Sequence, residues 1–152
     1  MALKSLVQWT AMRNVLVDSC FWFALFDARD PFHDKANELV HLLDLGYIIL
    51  PYPTLYETIN TRFTRNRTWV EEFEKTLKNN KTRTIEDNPY RENALTMTFD
   101  STINKKRPMS LVDMVIRLML DDINLKIDYL ISFNTVDFID ICLKNRIELI
   151  SE

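Results

Sequence analysis

Three apolar residues, Val15, Leu16 and Val17, run straight into a carboxylate, Asp18, and a small hydroxyl residue, Ser19. A short apolar run of this kind reads as a buried strand, and open α/β sheets carry functional side chains at the carboxyl ends of their strands. Two roles are open to Asp18. It can be a strand-end acid that serves chemistry, or the N-cap of the helix announced by Cys20-Phe21-Trp22-Phe23-Ala24-Leu25-Phe26, because a carboxylate accepts well from the free N–H groups of a first turn.

The remaining chain alternates in the same manner. After a helix to about Asp27, Asp30-Pro31 opens a second, Phe32 to Leu45, with Phe32, Ala36, Leu39, Val40 and Leu43 on one face. Gly46, the one glycine, closes it as a residue free to take positive φ. Tyr47 to Leu50 is a second strand, closed by Pro51, and Pro53 opens a helix through Leu55, Tyr56, Ile59 and Phe63 with Glu57 and Arg62 on its other side. Thr68 to Asn79 places Trp69, Phe73 and Leu77 on one stripe, and Pro89 to Thr102 reads as helical with Tyr90, Ala94, Leu95, Met97 and Phe99 apolar. Ser110 caps a helix from Leu111 to Ile123 whose Leu111, Val115, Leu118 and Met119 face the core. Tyr129 to Ser132 and Ile147 to Ile150 are the third and fourth strands, with Phe138 to Lys144 helical between them. Strands alternating with helices imply an α/β fold with parallel pairing and crossovers. The 152 residues, 47% of them hydrophobic, suffice for one core, so a single domain over 14–152 is expected behind an N-terminal arm, 1–13, of no clear period.

Several chemistries fail on inventory. One glycine rules out phosphate-cradling glycine loops and dinucleotide fingerprints. Cys20 and Cys142 lack zinc or disulfide-scaffold spacing and read as buried free thiols of a reducing cytoplasm. His33 and His41, eight apart on one expected helix, fit neither a zinc protease nor a Ser-His-Asp set. Asp18 and Ser19 interrupt the apolar run before Phe26, which argues against a signal peptide, and nothing approaches the roughly 18 apolar residues of a membrane span. A cytoplasmic protein without a membrane partner is the expectation.

Four acids stand out by placement. Asp18 ends the first strand, Glu57 is expected in the first turns of the helix after the second, Asp113 lies in the first turn of the helix capped by Ser110, and Asp137 follows the third strand. Each has a structural alternative, as a cap or as a first-turn acid complementing the helix dipole. Brought together at one sheet edge they could not all stay ionised and unpaired. A hard divalent cation resolves that conflict, since oxygen-only ligands select Mg²⁺ or Mn²⁺ over zinc, and such a cation supports phosphodiester hydrolysis.

Charge is unevenly spread. Residues 60–107 carry eleven Lys/Arg against seven Asp/Glu, while the rest carries eight against fifteen. Arg62, Arg65, Arg67, Lys81, Arg83, Lys105, Lys106 and Arg107 are thus candidates for RNA phosphates. Trp69 and Tyr90 could stack on unpaired bases, but their helical spacing assigns Trp69 to the core.

The order of these motifs resembles the PIN domain family of small metal-dependent ribonucleases, which includes VapC-type toxins. Val17-Asp18-Ser19 and the run Ala24 to Ala36 are similar to the family's first strand, first helix and following turn. Glu57 matches an acid on its third helix, Ser110-Leu111-Val112-Asp113 a Ser/Thr-x-x-Asp motif, and Ser132-Phe133-Asn134-Thr135-Val136-Asp137-Phe138 the closing motif. The resemblance spans 14–151 and implies a PIN-like fold, a central parallel sheet of four or five strands flanked by helices. It also implies a Mg²⁺- or Mn²⁺-dependent endoribonuclease with metal and catalytic residues Asp18, Glu57, Asp113 and Asp137, supported by Ser19, Ser110, Ser132 and Asn134. RNA, a small antitoxin and a second copy of the chain are its implied partners. One departure favours an alternative, a weak or inactive module that binds RNA or a protein: Asn134 stands where the family often has an Asp. Residues 82–107 match no motif and are expected as an insertion over the site.

Overall fold

The structure, a computed structural model, describes residues 12–152. The arm expected over 1–13 lies outside the described residues except for its last two, and Arg13 already belongs to the first strand. Five strands, β1 Arg13–Val17, β2 Gly46–Pro51, β3 Thr82–Ile85, β4 Tyr129–Ile131 and β5 Glu148–Ile150, form one parallel sheet in the order β3-β2-β1-β4-β5. Among the described residues eight α-helices accompany them: α1 Ser19–Phe26, α2 His33–Leu39, α3 Tyr52–Thr58, α4 Thr61–Thr64, α5 Arg67–Lys78, α6 Arg91–Ile103, α7 Leu111–Asp121 and α8 Thr135–Asn145.

The two-residue period of a strand divides the core between the two faces of the sheet. Leu16 stands in register with Ile49 and with Leu130, and all three pack with Ala94, Ile116, Met119 and Phe138 from α6, α7 and α8. Val15 and Val17 point the other way, beside Ile48, Leu50 and Ile131, against Phe21, Trp22, Phe63 and Phe73. β1 is therefore covered on both sides, which is why its sequence is a continuous apolar run without alternation.

Several local expectations are corrected. The helix expected over 32–45 ends at Leu39 and continues as a 3₁₀ segment, Val40–Leu45, so His33 and His41 do not share one α-helix, and Phe32 and Val40 are exposed. Phe32 stacks on Phe133 instead, with ring centroids 4.6 Å apart. Gly46 does not take positive φ; its φ is −169°, extended, and it opens β2. A Cβ there would lie 2.7 Å from the Arg13 carbonyl carbon and closer still to its oxygen, so the glycine permits the close approach of β2 to β1. The helix expected through Phe63 breaks at Ile59-Asn60, where the Asn60 side chain donates to the Glu57 carbonyl (2.8 Å) and accepts from the Phe63 N–H (3.0 Å), capping one helix at each of its ends. β3 was not foreseen: its Thr82-Arg83-Thr84-Ile85 has no apolar run, as befits a sheet edge. Residues 82–107 accordingly supply an edge strand and α6 packed on α7, and α6 buries only Ala94 and Ser101, leaving Leu95, Met97 and Phe99 exposed. Leu111, expected in the core, is also exposed, and α7 ends at Asp121 rather than Ile123.

Candidate active site

Parallel strands place all their carboxyl ends at one edge, and the acids singled out above occupy it. Asp18 follows β1, and its N–H continues the ladder to the Ile131 carbonyl of β4 at 3.0 Å. The cap role open to it is realised, and the carboxylate stands at the strand end. It is the N-cap of α1, Oδ1 accepting from the Ser19 N–H at 2.8 Å, and it is an almost fully buried carboxylate whose Oδ2 receives the Ser132 hydroxyl at 2.8 Å. Burial raises its pKa above the ordinary carboxylate value, opposed by these hydrogen bonds.

Glu57 sits near the end of α3, not in its first turns, so dipole complementation at a helix start does not account for it. Its Oε2 accepts from the Ser19 hydroxyl at 2.6 Å, and desolvation, then the charge of Asp18, raises its pKa. Asp113 is in the first turn of α7, its N–H donating to the Ser110 hydroxyl at 3.0 Å as the cap requires. Its pKa is pushed up to about 7, first by burial and then by the negative charges of Asp18, Asp137 and Glu57, against the hydrogen bond from Ser110. Asp137 lies in the first turn of α8, which begins at Thr135 and is not capped by Asp137.

Asn134 joins the last two acids. Its Nδ2 donates to Asp137 Oδ2 at 2.8 Å and reaches Asp113 Oδ2 at 3.4 Å, while its backbone N–H donates to the Ser132 hydroxyl at 3.0 Å. The amide thus presents N–H groups to the acids, holding two carboxylates apart on one bridge. Among the described residues no three His, Cys, Asp or Glu side chains are grouped tightly enough to form a finished metal cage. The donor chemistry nevertheless fits a hard cation: of four carboxylates from four elements, Asp18 has its pKa raised by burial and Glu57 and Asp113 theirs by burial and like charge, and among the described residues no cationic side chain hydrogen-bonds to these three.

Two contributors escaped the sequence reading. Cys20, read as an inert thiol, is half-buried; its Sγ lies 3.4 Å from Asp18 Oδ2 and accepts from the Phe133 N–H at 3.3 Å, joining Asp18 to the loop that carries Asn134. Arg117 donates to the Asp137 carbonyl at 2.6 Å and to Asp140, which Arg107 also holds, and so fastens the start of α8. Nothing but placement marks either residue; Cys142, by contrast, is buried in the core as expected.

Several of the basic candidates are engaged with other side chains. Arg62 pairs with Asp27, Arg67 with Glu71, Lys105 with Asp100 and Arg107 with Asp140, and Arg83 lies over the Tyr47 ring. Among the described residues Arg65 and Lys106 have no carboxylate at ion-pair distance. Trp69 is half-buried against Phe63, and Tyr90 packs on the core while donating to Asp122 at 2.7 Å.

No family model and no curated protein matches the chain. Among solved structures it is similar to VapC20 of Mycobacterium tuberculosis, a toxin that cleaves the sarcin-ricin loop, with a TM-score of 0.64 over 83% of this chain and 94% of that one, at 21% identity. The likeness is one of fold, and the fold is the PIN-like α/β arrangement that the motif order implies, with five strands in its parallel sheet.

Proposed function

We propose that the chain is a metal-dependent endoribonuclease that hydrolyses RNA phosphodiester bonds with Mg²⁺ or Mn²⁺, and that it serves as the toxin of a toxin–antitoxin pair. The observation that carries this reading is the set Asp18, Glu57, Asp113 and Asp137, delivered by four elements to one sheet edge, with Asp113 pushed up to about 7. The shared fold with a toxin that cleaves RNA supports it.

In this reading Asp18, Glu57 and Asp113 hold the ion and Asp137 forms the fourth corner. The ion supplies a bound water of lowered pKa and positive charge for a phosphate oxygen. Ser19 fixes Glu57, Ser132 and Cys20 fix Asp18 Oδ2, Ser110 sets the first turn of α7, and Asn134 orients Asp137. Arg65 and Lys106, without a carboxylate at ion-pair distance among the described residues, offer their donors to RNA phosphates, whereas Arg62, Arg67, Lys105 and Arg107 reach RNA through the donors their acid partners leave over. A small antitoxin, a homodimer and a cytoplasmic setting belong with this reading; no described helix is long and apolar enough to cross a membrane. Incubating RNA with the protein in Mn²⁺ and in chelator, wild type beside Asp18→Ala, tests it. Cleavage confined to wild type in Mn²⁺ is the expected result, and equal cleavage by the variant overturns it.

One observation favours a second reading, a PIN-like module that binds RNA or a protein without cutting. Asn134 offers N–H groups where a ligand oxygen is wanted. Calorimetric titration with millimolar Mn²⁺ separates the two: no heat of binding from a folded protein selects the module.

A further inference from the structure

Away from the acids, a cavity of about 200 Å³ opens between α1 and the α4–α5 segment. Its walls are Phe23 and Phe26 of α1, the buried Phe63 of α4 at its floor and Trp69 of α5, with Asp27, Asp30, Asn60 and Arg62 as the polar part of the lining. Phe26 meets Phe63 edge-on at 5.4 Å, and Trp69 lies tilted at 5.7 Å from Phe63 on the other side. Phe23, Phe26 and Trp69 are only half-buried, so this ring cluster does not close on itself as the neighbouring core does.

The rim has the opposite character. Asp27, whose side chain is 12% exposed, accepts from Arg29 Nε at 3.1 Å and also binds the Arg62 guanidinium, while the two arginine side chains remain 78% and 68% exposed. Asp27 thus holds two guanidiniums in place, and Asp30 adds a second carboxylate to the lining, so the rim is balanced in charge and what it offers a phosphate is the guanidinium N–H donors left over. Each guanidinium has five N–H donors in a fork that matches phosphate, and Asp27 uses a minority of them. Aromatic faces beneath an arginine rim, in a space of this size, suit a nucleotide better than an apolar molecule or a metal ion.

The cavity is also tied to the acids. α1 carries Ser19 at its start and Phe26 at its end, about 10 Å apart at the helical rise. On the opposite wall, Asn60 donates to the Glu57 carbonyl and accepts from the Phe63 N–H. A base held here stands at a fixed distance from the acid edge. We propose that this cavity binds one unpaired nucleotide of the RNA substrate, its base among Phe26, Phe63 and Trp69 and its phosphate on Arg29 and Arg62, and so selects where the strand is cut. The proposal rests on the ribonuclease reading above.

The test uses a short single-stranded RNA in chelator, so that binding is read without cleavage, by fluorescence polarisation. Trp69→Ala is expected to weaken binding about tenfold, the scale of one base–aromatic stack, and Trp69→Phe to restore most of it. Replacing successive nucleotides by abasic ones is expected to weaken wild type at one position and to add nothing in Trp69→Ala, the signature of two changes removing one contact. Paired substitution of the exposed Arg29→Gln and Arg62→Gln, which keeps the aromatic walls, should lower affinity and flatten its salt dependence. An RNA indifferent to abasic substitution at every position, or unchanged binding in both the Trp69→Ala and the paired arginine variants, overturns the proposal. If wild type cuts RNA while these variants bind normally, this inference alone fails; if wild type neither binds nor cuts RNA, the ribonuclease reading fails and takes it along.

Discussion

Asp18 caps a helix with one carboxylate oxygen and takes the Ser132 hydroxyl on the other. Such a residue is deeply buried among other acids and contributes charge, not packing, so its removal should abolish function while sparing the fold. Asp18→Ala and Asp113→Asn are each expected to lose Mn²⁺-dependent RNA cleavage by at least two orders of magnitude, with an unchanged far-ultraviolet circular dichroism spectrum; cleavage assays beside spectra check this. The raised pKa of Asp113 also has a thermodynamic signature. In metal-free protein the folded state keeps a proton that the unfolded chain, with an ordinary value of 3.8, has released by about pH 5, so stability falls as pH rises from about 4 to about 7 and levels off above. Asp18 and Glu57, shifted the same way, add to the slope. Thermal melts in chelator across that range should show the decline, and Asp113→Asn should flatten it. Asn134 was legible as the weak corner of the site, but the direction of its amide was not, because a sequence does not say which end of an amide faces an acid.

Elements were legible where burial leaves a mark. β1, β2 and β4 announce themselves as apolar runs because helices cover the sheet around them, and Ser110 announces α7 because an orphan N–H needs an acceptor. β3 left no such mark: an edge strand whose Arg83 and Thr84 are exposed needs only backbone pairing. The break at Asn60 and the 3₁₀ turn after Leu39 were hidden for a related reason, since apolar spacing continues through both while the backbone does not. Gly46 was noticed for the wrong property. Gly46→Ala is expected to cost about 3 kcal/mol, because the obstructing Arg13 atoms are backbone paired in the β1–β2 ladder and cannot swing aside; melting should drop by roughly 6–12 °C. Ser110→Ala removes the α7 cap, with an expected loss of about 1 kcal/mol by denaturant titration and a weaker Mn²⁺ isotherm, because the same turn carries Asp113.

At the scale of the whole molecule, the alternation of strands and helices was enough to infer a parallel sheet, and the order of the acids was enough to infer where they gather. What the sequence could not show is the strand order, which puts β1 between two strands made at different times. β2 follows β1 within thirty-odd residues of chain, whereas β4 comes 114 residues after it, as measured between Asp18 and Ser132. Removing residues 128–152 takes away β4, α8 and β5 and uncovers Leu16, Ile116 and Met119; that truncation is expected to melt without a cooperative transition in calorimetry. The Asp18 N–H has its acceptor in Ile131, and its carboxylate has its hydroxyl partner in Ser132. During synthesis, therefore, a growing chain that has passed Asp18, Glu57 and Asp113 still holds three scattered acids and no site. The acid edge can assemble only after β4 and the Ser132 that follows it have left the ribosome, a delay written into the topology itself.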